Sequence, residues 1–302
     1  MKIQRTLLIL GILFQSVYLK KNLKKNFAAQ CGRSFQKPTI QTTGRIIHGD
    51  NSIPNQWPWH VAVFFKLGIK HNFFCGGSIL NQNHILTAAH CFDELPSFLE
   101  LYVGVGLFNL SDAKPNKNLF KVSKLIRHEN YNKSNAFDND IALLVLEKPI
   151  KYTNKISPIC LPSNQDVKLV YNKVLHVAGW GSIHEKVTRE SIPNSLMQLE
   201  IKIMNYFNET LCQGIDETKY CGYDMSDKHS NLCVGDSGGA LMHKIDQKWY
   251  VFGVVSFGNA EFSDDNLTIL CQANQPTYFT IVPNYLDWIE KNVEANLNNK
   301  KF

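Results

Sequence analysis

From His60 onward, short runs rich in Val, Ile, Phe and Tyr alternate with turn-forming clusters, and this alternation fixes the fold class before any motif is considered. The runs are Val61–Leu67, Asn72–Leu80, Leu101–Gly106, Leu119–Arg127 and Ile141–Leu146, then Val174–Ala178, Leu196–Ile203, Trp249–Phe257 and Tyr278–Val282. Regularly spaced strands of this kind predict an all-β sandwich or barrel. One helix is expected, at the end of the chain over Asn284–Asn296, where Leu286, Ile289 and Val293 recur at helical spacing. Leu161–Lys173 reads as the connector between two halves, and no internal repeat is present.

With 302 residues and 44% hydrophobic content, the chain can bury one large core or two smaller ones unaided. Nine of the 32 Lys and Arg residues fall in residues 1–45, which hold no acid; the rest carries 23 bases against 26 acids. The body therefore lacks the clustered positive charge of a nucleic-acid groove, and no nucleic-acid partner is expected. Lys2 and Arg5 precede the apolar run Leu7–Phe14, too short to span a bilayer of roughly 30 Å as a helix. Residues 1–16 thus read as a signal peptide, with no membrane span, and residues 17–45 as a basic prosegment. Eight cysteines, an even number, fit a secreted, oxidised protein, and Asn109, Asn132, Asn208 and Asn266 open N-x-S/T sequons. No C-x-x-C or H-E-x-x-H occurs, so no metal site is expected.

Three blocks carry the chemistry: Thr87-Ala88-Ala89-His90-Cys91, Asp138-Asn139-Asp140-Ile141-Ala142 and Cys233-Val234-Gly235-Asp236-Ser237-Gly238-Gly239. Their order is His, Asp, Ser. The last block also satisfies G-x-S-x-G, but in that elbow the acid and histidine follow the serine. Here only His243 follows Ser237, six residues away in an apparent strand, where it is poorly placed as a distal base.

Together with Arg45-Ile46-Ile47-His48-Gly49, Trp57-Pro58-Trp59, Cys75-Gly76-Gly77-Ser78, Gly179-Trp180-Gly181, Ser256-Phe257-Gly258 and Asp287-Trp288-Ile289, these blocks resemble the trypsin/chymotrypsin-like serine proteases. The resemblance runs over essentially all of Ile46–Val293, within a protease domain of residues 46–302. It implies two antiparallel six-stranded β-barrels with the active site in the cleft between them, plus the C-terminal α-helix. It also implies an endopeptidase without a cofactor, in which His90 takes the Ser237 proton, Asp140 orients His90, and the Gly235 and Ser237 amides form the oxyanion hole. Cutting after Arg45 would free the Ile46 ammonium to pair with Asp236, so the uncut chain is expected to be a zymogen. The implied disulfides are Cys75–Cys91, Cys233–Cys271, Cys212–Cys221 and Cys31–Cys160, the last tethering the prosegment. A further family bridge is missing from both ends, at Leu175 and His243. Calcium is not indicated, because Gly106-Leu107-Phe108-Asn109 lacks the glutamate that opens the family's calcium loop.

The family positions that line the primary pocket are occupied by Asn231 at the base, Thr277 on one wall, and Ser256, Phe257 and Gly258 on the other. Trypsin-like enzymes carry an aspartate at the base. Asn231 leaves a basic substrate side chain without its counter-charge, although an amide oxygen could partly compensate. The expectation is a shallow, uncharged pocket for a medium apolar or polar side chain, and hence a separate trypsin-like activator for Arg45. Protein or peptide substrates and protein protease inhibitors are the partners implied. Residues 259–270 form a longer link than is usual and, at the pocket rim, either narrow substrate choice or stand as a bland insertion. The alternative from another class is a catalytically silent homologue acting as a binding or cofactor protein.

Overall fold

The computed structural model describes residues 31–36, 50–135, 137–205, 212, 217–224, 231–258, 260–263, 268–272 and 275–298. Two β-barrels lie side by side. In the first, β2 (His60–Leu67) pairs with β3 (Lys70–Ile79) and β5 (Glu100–Val105), and β4 (His84–Thr87), β7 (Ala142–Leu146) and β6 (Leu119–Arg127) close the ring in the order β2-β3-β4-β7-β6-β5. In the second, β8 (Val174–Gly179), β9 (Met197–Ile203), β10 (Lys219–Tyr223), β15 (Thr277–Ile281), β12 (Lys248–Gly258) and β11 (Ala240–Ile245) form a closed antiparallel ring, because β8 pairs with both β9 and β11. β1 (Asp50–Asn51) is added on the outside of β9.

The first barrel's interior is built from apolar strand residues such as Val61, Val63, Leu86 and Leu143, together with Trp59, all buried. A separate cluster of Val177, Leu199, Ile201, Phe252 and Phe279 fills the second. β7 is buried along its whole length, reading Ala-Leu-Leu-Val-Leu with no polar alternation, because both of its faces are covered.

Each end of the described chain straps a barrel. A helix α1 (Leu286–Asn298), preceded by a 3-10 turn at Val282–Tyr285, buries Leu286, Ile289 and Val293 in the core of the first barrel. Trp288 caps that contact by donating its indole N–H to Glu129 at 2.8 Å. At the other end, Gly32 bonds with Pro158 and Trp249, and Cys31 is joined to Cys160, fixing the N-terminal segment on the second barrel. Cys75–Cys91, Cys212–Cys221 and Cys233–Cys271 complete the four disulfides.

The sequence runs match nine of these strands to within two residues at each end, and β6 to the residue. They omit β1, β4, β10 and β11. The connector between barrels carries a 3-10 turn, Asn164–Val170, opened by a reciprocal cap between Ser163 and Asp166. Residues 259–270, expected as a link, hold all but the last residue of a hairpin: β13 (Ala260–Phe262) pairs with β14 (Ile269–Cys271). Leu270 bridges to Lys186, and amide bonds from Val187 to Ile269 and from Cys271 to Glu185 tie the hairpin to the loop after β8.

Candidate active site

His90 opens a 3-10 turn, His90–Phe92, directly after β4, and the Cys75–Cys91 disulfide pins that turn to β3. Its ring Nδ1 lies 2.7 Å from Asp140 Oδ2, and its amide donates to Asp140 Oδ1 at 2.8 Å. Asp140, fully buried, sits at the entry to β7 and is also held from the second barrel. Ser256 donates its hydroxyl to Asp140 Oδ2, and Thr280 Oγ1 donates to the Asp140 carbonyl at 2.9 Å. The β12 register slips between Val255 and Phe257, and this irregularity leaves Ser256 out of the ladder and aims it across the cleft. Burial pushes the Asp140 carboxyl upward, but the His90 charge and hydrogen bonds from the His90 ring, Ser256 and the His90 amide outweigh it. The carboxyl is held below its ordinary range. An ionised acceptor beside Nδ1 fixes the orientation of the His90 ring.

The Ser237 loop is pinned beside this couple. Gly76 on β3 donates its amide to the Ser237 carbonyl at 2.8 Å, and Gly238 packs so closely that a Cβ there would stand 2.2 Å from Thr87 Oγ1. Gly235 has φ 105°, a conformation open to glycine, and the space beside it is taken by Gly181 and Phe73. Neither the Gly235 nor the Ser237 amide donates to another described residue. Among the described residues the Ser237 hydroxyl makes no hydrogen bond to the His90 ring.

Asp236 points the other way, into the protein. Its carboxylate accepts from the Gly181 amide at 2.8 Å and the Cys233 amide at 3.1 Å, filling the space that side chains at Gly179 and Gly181 would occupy. Burial pushes its carboxyl up to about 6, against the lowering effect of those two amides. No cation among the described residues faces it. Arg45, Ile46, Asn208 and Asn266 lie outside the described residues. Asn132 is exposed and Asn109 half-buried.

Of the residues expected in the pocket, Asn231, Thr277 and Gly258 lie together, while Ser256 turns its hydroxyl to Asp140 and Phe257 its ring to Phe137 and Tyr278. Asn231 is buried, and Leu232, Gly258 and Thr277 surround it: a Cβ on Gly258 would stand 3.7 Å from Thr277 Oγ1 and 3.8 Å from the Leu232 carbonyl. The Asn231 amide donates to the carbonyls of Gln272 (2.7 Å) and Gln275 (3.0 Å), while Oδ1 accepts from Leu232 N (2.8 Å) and Thr277 Oγ1 (2.6 Å). Both donors and both lone pairs are engaged. The sequence expectation that its amide oxygen could assist a basic side chain is therefore corrected: that oxygen is already satisfied by the wall itself.

Sequence reading missed three features of the site. Phe137 has φ 54°, strained for a bulky residue, and its ring packs edge-on to His90 at 5.7 Å and against Phe257 at 5.3 Å. Phe257 in turn stacks on Tyr278 at 4.7 Å, making an aromatic wall that starts at His90. Lys219 of β10 is buried and reaches Asp138 at 3.4 Å, joining the second barrel to the loop that carries Asp140. His60 of β2 is fully buried against Trp180 and the backbone of Gly76 and Gly239, behind the serine loop, with neither ring nitrogen hydrogen-bonded. Burial lowers its pKa to about 3, so it is neutral. The aromatic three places before Asp140 was a visible signal; the two buried polar residues gave none.

Cys75, His90 and Cys91 bring ligand-type atoms within 4.8 Å of one another, but both sulfurs are spent in a disulfide.

Two barrels, a buried Asp–His couple between them and a Gly-Asp-Ser-Gly-Gly loop alongside agree with the comparisons to known proteins. The trypsin family model matches residues 46–289. The chain belongs to the trypsin family. It is 34% identical over 258 residues to coagulation factor XI of Bos taurus, an alignment covering 83% of this chain and 38% of that protein. It is 30% identical over 268 residues to CLIP domain-containing serine protease B4 of Anopheles gambiae, covering 84% of this chain and 72% of that protein. This trypsin-family chain thus spans well under half the length of the first relative and most of the second. Among its described residues no helix is long and apolar enough to cross a membrane.

Proposed function

We propose that this chain is the zymogen of a secreted serine endopeptidase. Residues 1–16 act as signal peptide, 17–45 as prosegment and 46–302 as the peptidase. Cleavage after Arg45 frees the Ile46 ammonium, which pairs with Asp236. What supports this pairing is the buried Asp236 carboxylate, which is costly to ionise alone and becomes tolerable once a cation meets it. The pairing fixes the adjoining loop, so that the Gly235 and Ser237 amides hold the oxyanion. Cys31–Cys160 keeps the prosegment attached after the cut.

Hydrolysis then proceeds through an acyl-enzyme. His90 accepts the Ser237 proton as the hydroxyl attacks the substrate carbonyl, Asp140 stabilises the imidazolium, and the proton passes to the leaving amine. A water, deprotonated by His90, releases the acyl group. The substrate is a protein or peptide whose medium, uncharged side chain enters the pocket of Asn231 and Thr277, with its backbone along Ser256, Phe257 and Gly258. Because that pocket refuses basic side chains, a separate trypsin-like protease cuts Arg45. Protein inhibitors of proteases fit the same cleft, and Asn109, Asn132, Asn208 and Asn266 are the glycan sites.

The observation that supports the reading most is the buried Asp140 bonded twice to His90, with the serine loop held against the same strand end. The test is incubation of purified proenzyme alone and with trypsin, followed by a peptide-library assay. Stability alone, cleavage after uncharged residues once trypsin has acted, and inert Ser237→Ala are the expected results. A matured chain that cleaves nothing would mark a silent homologue, and rapid self-cleavage at Arg45 would refute the pocket assignment.

A further inference from the structure

The first barrel buries most of its large apolar side chains, but three that it leaves out share one end. Leu67 is 61% exposed, Ile69 94% and Phe98 80%. Leu67 ends β2, opposite Lys70 at the start of β3, and Ile69 sits in the turn between them. The β2–β5 ladder pairs Lys66 with Glu100. Phe98, in a turn closed by the Leu99 amide on the Pro96 carbonyl, lies two residues before Glu100 and so at the end of the barrel where β2 leaves for its turn. Gly68, at φ 60°, has no atom within 4 Å of where a side chain would begin, so the turn stands clear of the barrel.

The charge around these side chains has one sign in excess. Lys66, Lys70, Lys121 and Lys124 lie at this end, against Glu100 and Glu147. Glu100 accepts from both Lys66 and Lys121, so its charge is more than matched. Asp93 and Glu94, at the start of the loop leading to Phe98, are engaged by Arg127 and Lys133.

Exposed apolar side chains mark protein and membrane contacts alike, and the positive charge decides between them here: apolar side chains on a free-standing turn, with ammonium groups one residue behind, match the boundary of an anionic bilayer. There the apolar tips enter below the headgroups and the lysines stay level with the phosphates. We propose that the β2–β3 turn and Phe98 dock this protein on membranes rich in anionic phospholipid. β3 runs from that turn to Gly76, which bonds to Ser237, so docking holds the cleft at a fixed height above the surface.

The test is sedimentation of the full-length secreted chain with vesicles of phosphatidylserine and phosphatidylcholine, against vesicles of phosphatidylcholine alone. Binding is expected to the mixed vesicles only and to weaken with salt. Lys70→Gln should weaken it about fivefold, and Ile69→Ser with Phe98→Ser about tenfold or more. These side chains are exposed, so thermal unfolding should stay unchanged in every variant. Equal binding to both vesicle types, or variants that bind as well as the parent, would overturn the proposal. So would turn-dependent binding to an acidic protein with no vesicle binding.

Discussion

Replacing Asn231 by aspartate places the residue of trypsin-like enzymes at the pocket base, and intuition says it should confer cleavage after Arg and Lys. The geometry predicts damage instead. The Asn231 amide nitrogen donates to two carbonyls, Gln272 at 2.7 Å and Gln275 at 3.0 Å, and the residue is buried. Asn231→Asp sets a carboxylate oxygen against both. Two hydrogen bonds at about 1 kcal/mol each are lost and two carbonyls lose their donor, for a total of about 3 kcal/mol. For a domain of this size that lowers the melting temperature by about 6 to 12 °C. The new carboxyl escapes part of the penalty by keeping its proton, which raises its folded-state pKa above the unfolded value of about 3.9. Stability contributed by that proton is present at low pH and lost as pH rises through the folded-state pKa. The variant should therefore unfold near the parent's temperature in acid and well below it at neutral pH and above. Thermal unfolding across pH, with peptide profiling of the matured form, reads both outcomes. An Asn231→Asp protein as stable as its parent at neutral pH, and newly active after Arg or Lys, would refute the reasoning.

Three other perturbations test the packing around the site. Asp138→Leu leaves the buried Lys219 ammonium with the Thr218 hydroxyl alone among the described residues and should destabilise the fold by about 3 kcal/mol, most of it recovered in the double variant with Lys219→Met; a double-mutant cycle in denaturant measures it. His60, held near pKa 3 in the fold, contributes stability that is full above the unfolded value of 6.5 and is lost as pH falls toward 3. His60→Phe should flatten the melting temperature over that window, and a titration by calorimetry checks it. Ser256→Ala removes one of the hydrogen bonds to Asp140 and should lower kcat by about tenfold with little change in KM, read by steady-state kinetics of the matured form.

The strands were legible where runs of Val, Ile and Phe stand between turn residues, as in β6 and β2. β4 and β10 escaped because they are four and five residues long, and His84 and Lys219 read as surface residues although both are buried. Lys219 is tolerated there through Asp138, eighty-one residues earlier, together with the Thr218 hydroxyl, and the distant partnership leaves no local trace. The order of His90, Asp140 and Ser237 was plain from motifs, as were the disulfides from the family resemblance. The state of Asn231 was not. Its position could be counted from Cys233, but its saturation depends on the carbonyls of Gln272 and Gln275, some forty residues later, lying over it. Phe137 escaped for a related reason: a bulky residue at positive φ is set by the rings of His90 and Phe257, not by its neighbours in sequence.

The account turns on Ser237 being a nucleophile activated by His90. Treating the chain, after limited cleavage at Arg45, with a fluorophosphonate and mapping the adduct by mass spectrometry tests this directly. The account predicts one label, on Ser237, that is absent from uncut chain and from His90→Ala. Labelling that survives His90→Ala undiminished, or a cut chain that takes no label at all, would contradict it.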